Sequence, residues 1–262
     1  MCLCRHNSCR PACRKKEMGD IRTQVMEIGF DNVTLGEAVD IAMQYIEQGK
    51  KCRVVTPNAE IAQLCKSDSS LCEIVNRSQL VLPDGIGVVY ASRILGHPLK
   101  ERVPGFEFAE ALLDRLQNTG KSVFFFGAKP GVAEKAAENV KKRYPGLLIA
   151  GTLNGYYTND QKVIQQINDA LPDVLFVCLG APKQEQFMAL RGDALTPVLM
   201  AGLGGTLDVL AGEVNRAPEL FIRLNLEWLY RLLCQPKRIG RVMRLPVYLL
   251  SAFAAKGRQK NA

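Results

Sequence analysis

SVFFFGAKPGVAEKAAENVKKRYPGLLIAGT, residues 122–152, contains an apolar run, a glycine-containing break, a helical segment and a second apolar run. The two runs, at 122–127 and 147–152, have the length of strands, and residues 131–143 between them have a helical period. Two strands joined through a helix form a βαβ unit, in which the strands lie parallel. This stretch therefore predicts a parallel sheet covered by helices.

The same alternation extends over most of the chain. Further strand-length apolar runs lie at 52–56, 79–83, 174–180 and 197–205. Further helical segments lie at 58–76, 86–96, 105–118, 160–170, 183–191 and 206–211. Continuously apolar strands indicate a sheet buried on both faces. We predict an α/β fold with a largely parallel, Rossmann-like sheet, helices on both faces and a basic helical C-terminal appendage.

Length and charge narrow the range of functions. The chain has 262 residues, of which 47% are hydrophobic, enough to bury a full core. Its formal net charge is +8, and the segment 216–262 holds ten Lys and Arg residues but only two Asp and Glu. All of the excess positive charge therefore lies in this segment. We expect it to meet polyanions: phosphate-bearing substrates, anionic lipid headgroups or nucleic acid.

The chain divides into a leader (1–17), an α/β core (18–213) and an appendage (214–262). The leader carries five residues that could ligate zinc, namely Cys2, Cys4, His6, Cys9 and Cys13. Their irregular spacing matches no paired zinc-binding pattern and favours a disordered leader over a metal site.

The sequence predicts neither a secretory signal nor a membrane-spanning helix. No apolar region of a secretory signal follows the N-terminus, and the longest apolar run near the other end, 245–255, has eleven residues. A membrane-spanning helix needs about 20. We therefore expect a cytoplasmic, reduced protein without a transmembrane helix.

The appendage mixes Leu, Phe, Trp and Tyr with Arg at helical spacings. Pro236 and Pro246 are expected to break it into two or three short helices. A basic amphipathic helix carrying Trp228 and Tyr230 suits a membrane surface. Packing of the apolar face on the core, with a solvated Arg face, explains the same pattern, and the sequence leaves both interpretations open.

Polar and Gly/Pro-rich residues follow the predicted strands, where ligands bind in a parallel sheet. Thr56 and Asn58 follow one strand, and Pro83-Asp84-Gly85 follows the next. Asp84 is explained either by a turn, which favours Pro, Asp and Gly, or by a base held at the edge of the sheet. The segments GAKPG (127–131) and GLGGT (202–206) could bind phosphate through backbone amides or could be tight turns.

Several enzyme classes lack their usual residues. The only histidines are His6 and His97, and there is no G-x-S-x-G, which disfavours a Ser-His-Asp hydrolase. No G-x-G-x-x-G occurs, which argues against a dinucleotide-dependent oxidoreductase. No Asp-x-Asp pair is present to bind a metal on a nucleotide diphosphate. The charge on a leaving diphosphate would then be offset by backbone amides and by Arg or Lys.

Seven motifs, in order, resemble those of the WecG/TagA/CpsF glycosyltransferase family. They are TPNAEI (56–61), LPDGIGVVYAS (82–92), ERVPGFEF (101–108), GTLNGYY (151–157), LGAPKQE (179–185), GLGGTLDVLAGEVNRAPE (202–219) and LEWLYRLLCQPKRIGR (226–241). The resemblance covers about residues 25–257.

The resemblance implies a metal-free, cofactor-free inverting transferase at the cytoplasmic face of the membrane. In the TagA-like branch, N-acetylmannosamine (ManNAc) passes from UDP to the 4-hydroxyl of undecaprenyl-diphosphate-linked N-acetylglucosamine (GlcNAc). This transfer starts the linkage unit of wall teichoic acid. The appendage is expected to close the active site and to touch the anionic membrane.

The matching motifs also imply roles for individual residues. Asp84 takes the place of the general base, with Thr56 and Asn58 beside it. The residues that would bind the substrates are Gln184 near the donor sugar, Asp208 and Tyr156 at the nucleotide, and Arg231, Arg238 and Arg241 at the diphosphate.

Other functions remain open at this level. The same fold could transfer ManNAc-uronate or glucose into another surface polysaccharide, and Lys129 and Lys183 are available for a uronate. A Rossmann oxidoreductase and a nucleic-acid binder are the alternatives from other classes. The apolar face of the appendage suits lipid better than a nucleic-acid duplex, so we expect no nucleic-acid partner. The same apolar face could also support a homodimer.

Overall fold

The computed structural model describes residues 22–224, 226–234, 240 and 243–260. The predicted leader, Pro236, Arg238 and Arg241 lie outside the described residues, as does the side chain of Arg231.

Eight strands and twelve helices are described in these ranges. The strands are β1 (Arg22–Val25), β2 (Ile28–Asp31), β3 (Cys52–Val55), β4 (Leu80–Val81), β5 (Ser122–Gly127), β6 (Leu148–Leu153), β7 (Val174–Cys178) and β8 (Leu199–Gly202). The helices are α1 (Leu35–Gln48), α2 (Ala59–Ser67), α3 (Ser69–Asn76), α4 (Ile86–Leu95), α5 (Gly105–Leu116), α6 (Val132–Arg143), α7 (Asp160–Asp169), α8 (Lys183–Arg191), α9 (Thr206–Leu210), α10 (Glu219–Arg223), α11 (Glu227–Cys234) and α12 (Arg244–Lys260).

A six-stranded sheet in the order β4-β3-β8-β7-β5-β6 forms the centre of the protein, and all of its neighbouring strands pair in parallel. Each of the six predicted strands is present, and the predicted α/β class is confirmed. The helical segment 58–76 is two helices rather than one, because Asp68 ends α2 and its side chain accepts a hydrogen bond from the Leu71 N–H, which begins α3.

Two apolar layers cover the sheet. One layer contains buried residues of α1, α5, α6 and α9, and the other contains those of α2, α3, α4, α7, α8 and α12. Alternate strand residues enter each layer: Phe125 packs in the first, whereas Phe124 and Phe126 pack in the second. Burial on both faces explains why the strands are continuously apolar.

The chain leaves neighbouring strands toward opposite faces of the sheet at their carboxyl ends. The strands β3 and β7 lead into α2 and α8 on one face, whereas β8 between them leads into α9 on the other face. Loops that diverge in this way leave space for a ligand at the carboxyl ends of the strands.

An antiparallel hairpin, β1–β2, supports the short edge strand β4. The Asp31 carboxylate accepts the Val81 N–H at 2.7 Å, and the Arg22 guanidinium donates to the carbonyl oxygens of Asn76 and Ser78. The Asp31 bond satisfies a backbone N–H of β4, which has no described strand on its outer side, and the Arg22 bonds tie the hairpin to the chain just before β4. The hairpin therefore holds the chain three residues before Asp84.

The last helix, α12, packs on α2 and α4. Tyr248 is 1% exposed and Ala252 is buried, whereas Val247, Leu250 and Phe253 are exposed. A Cβ added at Gly87 would collide with Leu245, so Gly87 permits the close approach of α4 and α12. The helix thus combines a face packed on the core with an exposed apolar face, and the division of the chain at residue 213 stays a prediction.

The sequence analysis expected Pro246 to break a helix, and this prediction is wrong. Pro246 lies in the first turn of α12, where backbone N–H groups have no helical partner and proline is tolerated. None of the described helices has both the length and the hydropathy needed to cross a bilayer.

Candidate active site

Most of the proposed site residues follow adjacent strands at the carboxyl edge of the sheet. Asp84 follows β4, Thr56 and Asn58 follow β3, Asp208 follows β8, and Gln184 follows β7. Tyr156 follows β6 at the far end of the sheet. With about 4.8 Å between neighbouring strands, β6 lies about 24 Å from β4. The structure therefore brings five of these residues to one rim and sets Tyr156, which is 70% exposed, at its other end.

Asp84 is half-buried between β4 and α4. Its Oδ1 accepts the Gly105 N–H at 3.2 Å, and the neighbouring Pro83 carbonyl accepts the Val103 N–H at 2.8 Å. The segment that ends at Gly105 therefore runs along the end of β4 and orients the carboxylate. Pro83-Asp84-Gly85 does form a strand–helix connection, and it also places the Asp84 carboxylate at the carboxyl edge of the sheet, so both interpretations of Asp84 fit the structure.

Thr56 lies close to Gly105, and Asn58 lies close to Gly85. The Thr56 hydroxyl donates to the Gly202 carbonyl at 3.0 Å, and Asn58 caps α2 by accepting the N–H groups of Glu60 and Ile61. A Cβ added at Gly85 would lie 3.0 Å from the Asn58 Cβ. Both residues have clear structural contacts here, and their catalytic assignment stays a prediction.

Gln184 is 2% exposed, and both ends of its amide bond within the protein. Its Nε2 donates to Glu185 Oε1 at 2.9 Å, and its Oε1 accepts the Gly204 N–H at 2.9 Å. A Cβ added at Gly202 would lie 3.1 Å from Gln184 Nε2, so this glycine is required for close packing. Gln184 therefore braces the glycine-rich loop 202–205.

These contacts form one connected set across four strands, which we call the rim network. It runs from Glu185 and Gln184 to Gly204, along the loop to Gly202, and on to Thr56. A Cβ added at Gly105 would lie 3.2 Å from Thr56 Oγ1, so Gly105 contacts Thr56 and also holds Asp84. The network couples the position of the Asp84 carboxylate to the loop after β8.

Two further ionisable groups lie close to this rim. Burial raises the pKa of the Cys178 thiol at the end of β7 to about 12, so it stays protonated at neutral pH and is a poor nucleophile. Asp208 lies in the first turn of α9, with its Oδ2 3.6 Å from a Cβ added at Gly205.

The loop after β7 also carries a lysine. Lys183 lies over the Tyr157 ring, with Nζ 4.4 Å from the ring centroid, and its Nζ is 3.4 Å from the Gly155 carbonyl oxygen. These contacts hold the ammonium group beside the loop after β6.

Ion pairs of Arg102 and Arg216 join the appendage to the core, and the sequence analysis did not single out Arg102, Glu107 or Glu227. The Arg102 side chain, 13% exposed, lies 3.5 Å from a Glu227 carboxylate oxygen and 3.9 Å from Glu107. Arg216 pairs with Glu107 and, at 3.7 Å, with Glu110. Arg102 lies in the motif ERVPGFEF. Its partner Glu227 could have been noticed in the sequence as one of only two acidic residues in the strongly basic segment 216–262.

Glu227 begins α11, which also carries Arg231 four residues later. The Arg102–Glu227 pair therefore places this helix near the segment that binds Asp84. The diphosphate-binding roles of Arg231, Arg238 and Arg241 stay predictions.

Within the described ranges, no three His, Cys, Asp or Glu side chains are grouped so that they could hold a metal ion. The expected absence of a metal and of a cofactor stays a prediction of the sequence analysis.

Comparison with known proteins gives a consistent result over nearly the whole chain. The model of the glycosyl transferase WecG/TagA/CpsF family matches residues 23–262. The N-acetylglucosaminyldiphosphoundecaprenol N-acetyl-beta-D-mannosaminyltransferase of Bacillus spizizenii is 39% identical over 209 residues, which cover 80% of this chain and 81% of that protein. Proteins of the same name are 35% identical over 238 residues in Bacillus subtilis (90% and 93% covered) and 32% identical over 243 residues in Staphylococcus aureus NCTC 8325 (92% and 96% covered). The chain belongs to the WecG/TagA/CpsF glycosyltransferase family.

Proposed function

We propose that this chain is an inverting glycosyltransferase that moves ManNAc from UDP-ManNAc to the 4-hydroxyl of undecaprenyl-diphosphate-linked GlcNAc. This reaction would be the first committed step in building the wall teichoic acid linkage unit. The observation that carries the proposal is the Asp84 carboxylate at the carboxyl edge of the sheet, oriented by the Gly105 N–H beside Thr56. Three curated relatives named for this transfer support the choice of sugars.

Asp84 acts as the general base. A sugar hydroxyl is a weak nucleophile, and a positioned carboxylate that takes its proton accelerates attack by about 10²–10⁴. The acceptor oxygen forms a bond to C1 of ManNAc as the bond from C1 to the diphosphate oxygen breaks. The proton goes to Asp84, the electron pair of the broken bond leaves with UDP, and C1 is inverted.

The appendage supplies positive charge for the diphosphate groups. Arg231, Arg238 and Arg241 are the residues we assign to this role, because guanidinium groups bind phosphate oxygens in pairs of hydrogen bonds. The Arg102–Glu227 pair supports the assignment, since it holds the start of α11 beside the rim. The excess charge of the segment 216–262 suits two anionic partners, the departing UDP and the lipid diphosphate.

The donor is bound on the side of β8 and β7. Asp208 and Tyr156 are assigned to the nucleotide. Gln184 is assigned to the donor sugar, and its internal hydrogen bonds favour an action through the backbone of the 202–205 loop that it braces.

The lipid-linked acceptor places the protein at the inner face of the cell membrane. Seven of the twelve exposed large hydrophobic side chains in the described part of the chain belong to the appendage: Leu220, Leu224, Leu233, Met243, Val247, Leu250 and Phe253. Apolar groups among basic ones bind anionic bilayers. A homodimer that covers this surface is the alternative use of these side chains, and no nucleic-acid partner is proposed.

Transfer of ManNAc-uronate or glucose is the alternative within the family. A uronate needs an added cation, and Lys183 already contacts the Tyr157 ring and the Gly155 carbonyl. This leaves Lys129, which is exposed after β5, as the other cation considered for that role. Membership in a glycosyltransferase family removes the support for a dinucleotide-dependent oxidoreductase.

The decisive experiment is a radiolabelled transfer assay with a short-chain lipid-diphosphate-GlcNAc acceptor. UDP-ManNAc should give labelled disaccharide-lipid, with EDTA present or absent, and the UDP forms of glucose and ManNAc-uronate should compete poorly for binding. Transfer from either competitor in preference to ManNAc would reject the proposed donor. Activity lost in EDTA and restored by Mn²⁺ would reject the metal-free mechanism.

A further inference from the structure

The carboxyl group of Glu185 is buried at the end of the rim network. Glu185 lies in the first turn of α8, is 1% exposed, and its Oε2 has no hydrogen-bond partner among the described residues. A buried carboxyl oxygen without a partner is unfavourable, and such groups in native proteins call for a specific explanation. An apolar side chain of similar volume would fill this space without that penalty.

The other carboxyl oxygen has a defined task. Glu185 Oε1 accepts a hydrogen bond from Gln184 Nε2, and Gln184 Oε1 accepts the Gly204 N–H. A glutamine amide can turn over by exchanging its oxygen and its nitrogen. In the reversed orientation the amide NH₂ would face the Gly204 N–H, and the amide oxygen would face the carboxyl oxygen. The reversed orientation would lose both of these hydrogen bonds, so Glu185 Oε1 and the Gly204 N–H together favour the observed orientation.

Gly204 is a position where the backbone needs such support. Its φ is +55°, in the left-handed region, and it lies in the 202–205 loop, which contains three glycines and begins at the last residue of β8. The same loop begins at Gly202, whose carbonyl accepts the Thr56 hydroxyl. The loop is therefore held at one end by Gln184 and at the other by Thr56, which contacts the segment that orients Asp84.

We propose that Glu185 is a positioning residue that sets the amide orientation of Gln184 and thereby holds the 202–205 loop in place for sugar transfer. The proposal rests on the proposed function for the reaction that it serves. The contacts that define it are independent of the identity of the donor sugar.

The test compares three variants of the full chain. Glu185→Gln keeps a carbonyl oxygen for Gln184 Nε2, Glu185→Met has similar volume and no strong acceptor, and Glu134→Met replaces an exposed first-turn acid of α6 as the matched control. Transfer kinetics, urea unfolding and hydrogen exchange at the Gly204 amide are measured for each.

We expect Glu185→Met to lower kcat about tenfold, the equivalent of one lost hydrogen bond, with little change in KM. The Gly204 amide should exchange faster in this variant, and its urea midpoint should be no lower than that of the unmodified chain. Glu185→Gln should restore most of kcat and the slow exchange, and Glu134→Met should change neither.

Three results would overturn the proposal. Unchanged kcat and exchange in Glu185→Met would mean that the orientation of Gln184 does not depend on Glu185. A loss of kcat that only follows a loss of stability would indicate a purely structural role. Equal damage in Glu185→Gln and Glu185→Met would show that the acceptor oxygen is not what matters. An unmodified chain that transfers no ManNAc contradicts the proposed function instead, and the exchange comparison then still decides whether Glu185 holds the loop.

Discussion

Replacing Asp84 with asparagine separates the chemical role of this residue from its structural role. The Asp84 Oδ1 accepts the Gly105 N–H at 3.2 Å, and an asparagine oxygen can accept the same bond. The loop geometry is therefore retained in Asp84→Asn, whereas the basic carboxylate is lost. Asp84→Ala loses both, so it serves as the comparison that reveals the structural contribution.

The size of each effect follows from these contacts. Loss of general-base help predicts a fall in kcat of about 10²–10⁴ for Asp84→Asn, or about 3–5 kcal/mol in the activation barrier. Its free energy of unfolding should stay within about 0.5 kcal/mol of the unmodified chain, since the backbone bond is kept. Asp84→Ala should lose about 1 kcal/mol of stability in addition, the typical value of one hydrogen bond.

Single-turnover transfer from radiolabelled UDP-ManNAc measures the chemical step, and titration calorimetry measures UDP binding. We expect both variants to bind UDP with a Kd within about threefold of that of the unmodified chain, a difference of less than 1 kcal/mol in binding free energy. Asp84→Asn that keeps more than a tenth of the unmodified rate would refute the base assignment. A loss of UDP binding parallel to the loss of rate would refute the separation of roles.

Three other predictions concern the appendage, the last helix and the buried acid. Arg102→Ala and Glu227→Gln should each lower kcat/KM in the transfer assay. The double variant should lose little more than either single variant, which corresponds to a coupling free energy of about 0.5–3 kcal/mol between the two residues. Additive losses would mean that the pair does not hold α11. Tyr248→Phe removes a buried hydroxyl that has no hydrogen-bond partner among the described residues, and it should raise the free energy of unfolding, measured in urea, by up to about 1 kcal/mol. Tyr248→Ala should lower it by about 3–5 kcal/mol, and equal effects of the two substitutions would contradict the packing of α12. Burial raises the pKa of Glu185 above its ordinary value of 4.5, so just above pH 4.5 the native state keeps a proton that the unfolded chain has lost. Stability should therefore fall as the pH rises from 4.5, and it should fall less in Glu185→Gln; the neighbouring Cys65 thiol, whose pKa burial raises to about 12, stays neutral throughout. Urea midpoints measured between pH 4.5 and 8 that change identically in both proteins would rule this out.

The strands and helices of the core were predictable because each strand is buried on both faces and therefore reads as a continuous apolar run. The hairpin β1–β2 and helix α1, before the first predicted strand, were not predicted. The hairpin is held by Arg22 and Asp31 through backbone groups about fifty residues away, which no local pattern records. Pro246 was misplaced for a related reason: proline breaks a helix in its interior but fits its first turn, and only the structure shows where α12 begins.

The sequence by itself determined that Thr56, Asp84 and Gln184 follow strands of one parallel sheet and so face the same edge, since parallel strands share the direction of their carboxyl ends. Only the tertiary structure decided which of these residues meet. The order β4-β3-β8-β7 puts Gly202 beside Thr56, and docking of the appendage brings Glu227 to Arg102, 125 residues away in the chain. Such contacts depend on strand order and helix docking, which arise from the packing of the whole core and leave no periodic trace along the chain.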